Sequence, residues 1–94
     1  VKKYKVLFQS HVFQVLSHLH PYLKTKIRIA LDCLSLDPRI GKLLNLPLKN
    51  YWSYRVADFR IVYRIHESEI FIEVVEIAER KIVYENVLKL IREK

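Results

Sequence analysis

The stretch Tyr51-Trp52-Ser53-Tyr54-Arg55-Val56-Ala57-Asp58-Phe59-Arg60-Ile61-Val62-Tyr63-Arg64-Ile65-His66 decides how the chain folds. Before it, apolar residues recur every three or four positions. From Tyr51 onward they alternate, the period of a strand whose successive side chains face opposite sides of a sheet. Strands are expected over Tyr51 to Val56, Phe59 to His66 and Ile70 to Ala78, all rich in Val, Ile, Tyr and Phe. The links Ala57-Asp58 and Glu67-Ser68-Glu69 are too short for a crossover, so both must be antiparallel hairpins. Alternation then sorts the side chains. Phe59, Ile61, Tyr63 and Ile65 face one way with Trp52, Tyr54 and Val56, while Arg60, Val62, Arg64 and His66 face the other with Tyr51, Ser53, Arg55 and Ala57. One sheet face is expected to be core and the other to be polar, carrying the guanidiniums of Arg55 and Arg60.

Working outward, Lys3 to Phe8 is a short β-branched and aromatic run that reads as a strand, with Ser10 placed to cap a helix. Val12, Phe13, Val15, Leu16 and Leu19 give that helix one apolar face, ending near His20-Pro21. Pro21 suits the first turn of a second helix, in which Leu23, Ile27, Ala30, Leu31 and Leu34 form the inner stripe while Lys24, Lys26 and Arg28 face elsewhere. Asp37-Pro38 stops it, and Gly41 and Pro47 mark an irregular connection to about Asn50. After the strands, Tyr84, Val87, Leu88 and Ile91 form a last amphipathic helix. The expected fold is α+β over a single domain, residues 1–94: an N-terminal strand and helical hairpin packed on a twisted antiparallel sheet, with a short C-terminal helix. Arg80 and Tyr84, four residues apart, reach the sheet edge if the chain turns back after the third strand. Three arginines, Tyr51, Tyr84 and Ser53 on one concave surface suit a phosphate with a stacked base, whereas arginines paired with Glu73 or Glu76 of a neighbouring strand would be ordinary surface.

Composition narrows the function. The 94 residues carry 17 Lys and Arg against 10 Asp and Glu, a net +7, which favours an anionic partner. The first 50 residues hold seven lysines and two arginines against Asp32 and Asp37, whereas the remainder is neutral but contains five of the seven arginines. The lone Cys33 makes neither a disulfide nor a thiolate zinc site and reads as a small packing residue. His18 and His20 do not share a helix face, so surface or cap roles fit them better than a metal, and no cofactor is implied. No apolar run is long enough to cross a bilayer, and Val1-Lys2-Lys3 leads into a polar-interrupted segment, so the expected compartment is the cytoplasm.

The run Tyr51 to Tyr63, the hydrophobic strand after it, and Glu79-Arg80 and Tyr84 before a terminal helix together resemble the RelE/ParE toxin superfamily. The Trp-Ser-x-Arg-Val element is similar to its YoeB branch. The resemblance spans essentially the whole chain and implies a toxin of a type II toxin-antitoxin pair. It implies a ribosome-dependent messenger RNA endoribonuclease, cutting by attack of a ribose 2′-hydroxyl on the adjacent phosphate and leaving a cyclic phosphate and a 5′-hydroxyl. Arg60 and Arg80 match its phosphate-binding arginines, Tyr84 its orienting aromatic and Arg55 the basic position of the preceding strand. Tyr51, Ser53, Lys49, Arg64 and Lys81 are the surrounding RNA-binding candidates; Lys24, Lys26 and Arg28 are candidates for ribosomal RNA backbone. The chain departs from the family at Tyr51 and Ser53, where RelE members carry lysines, and at Val83, where YoeB members carry a histidine. Residues 40–50 hold no glutamate, which leaves Glu79 as the carboxylate beside the arginines. ParE-like members of the same fold inhibit DNA gyrase instead, and a weakened homologue kept for antitoxin binding is a further alternative. The implied partners are a cognate RelB-like antitoxin, the ribosome and messenger RNA, with the toxin monomeric alone and of higher order with its antitoxin.

Overall fold

The computed structural model describes residues 3–93. Lys5–Phe8 forms strand β1, followed by helices α1 (Ser10–Ser17) and α2 (Pro21–Leu36). After a 3-10 turn at Pro38–Ile40 come β2 (Lys42–Leu43), β3 (Trp52–Val56), β4 (Phe59–His66), β5 (Phe71–Glu79) and helix α3 (Arg80–Arg92). The strands make one five-stranded sheet in the order β1-β5-β4-β3-β2.

The expected hairpins are present: Val56 pairs with Phe59 across Ala57-Asp58, and His66 with Phe71 across the second turn. Both turns use a residue of positive φ, Ala57 at 54° and Ile70 at 56°, a conformation that a side chain makes costly and the flanking ladders impose. The sheet is mixed, however, and not antiparallel throughout. β1 runs parallel to β5, with Lys5 opposite Phe71 and Phe8 opposite Val74. Parallel partners need a long crossover, which α1 and α2 begin, so no local pattern announces the pairing.

Some element boundaries differ from expectation. Ser10 is the first helical residue of α1; Gln9 is its N-cap and supplies no side-chain cap. α2 starts at Pro21 as expected, and His20 caps it, its imidazole accepting from the Tyr22 N–H at 3.1 Å. α3 begins at Arg80, four residues before the apolar stripe that marks it in the sequence. Lys2 and Lys94 lie outside the described residues.

Two cores sandwich the sheet. Val12 of α1 and Ile27, Ala30 and Leu34 of α2 pack on Val56, Ile61, Tyr63, Ile72, Val74 and Ile77. On the other face, Val83 and Val87 of α3, with Leu48, cover Val62, Val75 and Ala78. The arginine-bearing face is therefore only partly open, a correction to the single core expected. A bulge in β5 falls beside the second core: Val62 lies opposite Glu76 and Tyr63 opposite Val74, so Val75 is the extra residue and joins that core. Cys33 is exposed on α2 and does not pack inside.

Candidate functional site

The β3–β4 hairpin sets Arg55 and Arg60 directly opposite one another. Residues in register share a sheet face, so two guanidiniums point into the same space, an arrangement that costs stability. Arg55 Nε donates to the Ala57 carbonyl at 3.4 Å and Arg60 Nη1 to the Phe59 carbonyl at 3.1 Å. Among the described residues no carboxylate forms an ion pair with Arg55, Arg60 or Arg80. Glu73 is bound to Gln9 and His66, each at 3.0 Å, and Glu76 lies 3.5 Å from His11 Nε2. Burial alone would raise the Glu73 carboxyl, but the bonds from Gln9 and His66 and the charges of His66 and Arg64 outweigh it and hold it below the ordinary range.

The abrupt junction of β5 and α3 brings up the third guanidinium. The Arg80 N–H donates to the Asp58 carbonyl at 2.8 Å, tying the first turn of α3 to the tip of the β3–β4 hairpin. Arg80 and Tyr84 stand at i and i+4 on one helix face. The Tyr84 hydroxyl meets Ser53 Oγ at 3.1 Å. Between them opens a cleft of about 870 Å³, lined by Lys42, Ser53, Arg55, Arg60, Arg80 and Tyr84. Ile40, Gly41, Tyr54 and Ala57 complete its wall.

Lys42 is a site residue that sequence reasoning missed. It lies opposite Ser53 across the β2–β3 ladder, and a two-residue strand has no period to reveal it. Its approach is fixed from below. The buried Tyr63 hydroxyl donates to the Pro38 carbonyl at 2.6 Å, and a Cβ at Gly41 would overlap that hydroxyl and crowd the Ser53 carbonyl. Burial pushes the Tyr63 phenol well above the ordinary tyrosine range, so the O–H stays a donor.

The other expected site residues do not join the cleft. Tyr51 packs in the second core, with the Arg64 guanidinium 5.5 Å from its ring, and Arg64 borders a separate hollow with Asn50 and Trp52. Lys81 lies beside Asp58 and Glu79 on the far side of Arg80, so Glu79 faces away from the cleft wall. Lys49 is exposed and outside the lining. Lys24, Lys26 and Arg28 are on α2, which covers the opposite face of the sheet; Lys26 Nζ sits 4.7 Å over the Tyr22 ring. Among the described residues no group of three His, Cys, Asp or Glu side chains is arranged to hold a metal, and no helix is long and apolar enough to cross a membrane.

The five-stranded mixed sheet with its three helices matches the structures of RelE-like toxins. The toxin in the RelBE2 toxin-antitoxin complex of Mycobacterium tuberculosis has a similar structure, with TM-score 0.75, 28% identity, and coverage of 83% of this chain and 99% of that one. The isolated Escherichia coli RelE toxin matches at TM-score 0.70 and 21% identity over 94% and 98% of the two chains. The YoeB-YefM complex of Staphylococcus aureus matches at 0.67 and 17%, over 83% and 98%. No curated protein matches the sequence. The family model for the ParE toxin of type II toxin-antitoxin systems matches residues 4–84, and the chain belongs to that family.

Proposed function

We propose that this toxin is a messenger RNA endoribonuclease that acts on the ribosome and so inhibits translation. The observation that carries the reading is the convergence of Arg55, Arg60 and Arg80 on one open cleft without a carboxylate partner among the described residues. Unpaired guanidiniums held opposite each other supply preorganised positive charge where a phosphorane gathers negative charge, and phosphoryl transfer needs little else from the protein. Arg60 and Arg80 hold the scissile phosphate, Arg55 adds charge from the neighbouring strand, and Tyr84, fixed by Ser53, orients the nucleotide. The 2′-oxygen attacks phosphorus, the bond to O5′ breaks, and the products are a cyclic phosphate and a 5′-hydroxyl. Lys24, Lys26 and Arg28, on the other layer, contact ribosomal RNA backbone away from the cleft. Lys49, Arg64 and Lys81, outside the cleft lining, guide the flanking strand. The partners are a RelB-like antitoxin, in keeping with the antitoxin complexes among the structural relatives, and the cytoplasmic ribosome with its message.

The test is primer extension on a defined message, with and without programmed ribosomes. Cleavage inside the ribosome-held codon, with a 5′-hydroxyl on the downstream product, is the expected result. A gyrase-directed function is the second reading, favoured by Tyr51 and Ser53 standing where RelE members carry lysines. Inhibition of gyrase supercoiling by antitoxin-free protein, without any cleavage, would replace the first reading with this one.

A further inference from the structure

We infer that Lys42 is the general acid of the cleft, protonating the departing 5′-oxygen. This rests on the endoribonuclease reading above. Of the four cations lining the cleft, three are arginines, which do not give up a proton at any pH a protein tolerates. The remaining titratable groups of the lining are the phenols of Tyr54 and Tyr84, and Tyr84 is already engaged with Ser53. A lysine is charged at neutral pH and carries a transferable proton, so Lys42 is the lining group equipped both to neutralise an alkoxide and to cap it.

Its position fits that task. Lys42 and Val62 both lie opposite Ser53 from either side, so Lys42 shares the sheet face of Arg55 and Arg60. Two strand spacings across and one two-residue step along the sheet separate the backbones of Lys42 and Arg60 by roughly 12 Å. Two long side chains extending from the ends of that span meet over the width of one phosphodiester. Arg60 then holds the non-bridging oxygens while Lys42 approaches the bridging oxygen from the β2 side. The backbone that carries Lys42 is held by the Tyr63–Pro38 bond and by the absence of a side chain at Gly41, an unusual amount of support for an edge strand of two residues.

In the step, the 2′-oxygen forms a bond to phosphorus and its proton passes to solvent water. The P–O5′ bond breaks, and O5′ takes a proton from Lys42 Nζ. The neutral amine then regains a proton from solvent.

A message with sulfur in place of the bridging 5′-oxygen at the cleaved linkage separates this role from electrostatics, because a thiolate leaves without protonation. Ribosome-programmed cleavage of both messages is measured for the wild type, Lys42→Ala, Lys42→Arg and Arg60→Ala. Lys42→Ala and Lys42→Arg should cut the oxygen linkage about 10²–10⁴-fold more slowly than wild type and the sulfur linkage at near wild-type rate. Arg60→Ala should be slow on both, and all variants should bind antitoxin as wild type does. If Lys42→Arg cuts the oxygen linkage normally, or if Lys42→Ala is equally impaired on both linkages, Lys42 is not the acid although the ribonuclease reading stands. If the wild type cuts neither message, the ribonuclease reading itself fails and takes the inference with it.

Discussion

Replacing Tyr63 by Phe removes one oxygen atom from beneath the cleft. That hydroxyl is fully buried and donates to the Pro38 carbonyl at 2.6 Å, where Pro38 is itself buried. The variant keeps the ring and leaves a buried carbonyl without its partner, a loss of about 1–3 kcal/mol. At about 1.5 kcal/mol, the melting temperature of a domain this size should fall by roughly 6–12 °C. The effect has a pH signature. Because burial raises the folded phenol above its ordinary value of 10.0, its stabilisation is complete below that pH and is lost as pH rises towards the folded value. Thermal unfolding followed by circular dichroism from neutral to alkaline pH should show wild type and variant converging as the wild type loses that contribution. Tyr22→Phe, on an exposed ring, is the control and should leave the melting temperature unchanged. Hydrogen exchange should show the amides of Lys42 and Leu43 opening sooner in the Tyr63 variant. A melting temperature within about 2 °C of wild type, with β2 equally protected, would refute the claim that this bond anchors the cleft wall.

Relieving the Arg55–Arg60 opposition should stabilise the fold while weakening the site. Arg55→Ser is expected to gain about 0.2–1 kcal/mol in chemical denaturation and to lose cleavage activity. Glu73→Gln should flatten the acid limb of the stability curve: with its folded value held below the ordinary 4.5, Glu73 stabilises fully above 4.5 and loses that contribution as pH falls below it through the folded value. Calorimetry across that range would show it. Charge reversal of Lys24, Lys26 and Arg28 together should reduce the salt dependence of ribosome binding, lowering the log–log slope by roughly 2–3. An unchanged slope would detach α2 from the ribosome contact.

The sequence made some of this legible because short-range rules govern it. Alternation assigned Arg55 and Arg60 to one face, and Val56-Ala57-Asp58-Phe59 allowed only a tight hairpin, so the pairing of the two arginines followed from local geometry. Pro21 and His20 likewise placed the start of α2. What escaped depends on contacts distant in the chain. The parallel docking of β1 on β5 joins residues more than 60 positions apart, beyond any periodicity. The first turn of α3, Arg80-Lys81-Ile82-Val83, precedes the apolar stripe that marks the helix and ends in two β-branched residues, yet tertiary packing of Val83 makes it helical. Val75 joins the second core through a bulge, which shifts a register without leaving a composition signal. Tyr51 was placed in the site by its alternation with Ser53 and Arg55, but α3 covers its end of that face and draws it into the core. Lys42 was invisible for the opposite reason: it enters the cleft from a strand too short to have a pattern, among residues 40–50 that read as an irregular connection.

The claim that the arginine cleft is where RNA is cut is tested most directly by comparing wild-type protein with Arg60→Ala, each freshly separated from antitoxin, on ribosomes programmed with a defined message. Single-turnover cleavage should fall about 10²–10³-fold in the variant, with its melting temperature preserved. Cleavage by Arg60→Ala at the wild-type rate would contradict the account and place the chemistry elsewhere on the molecule.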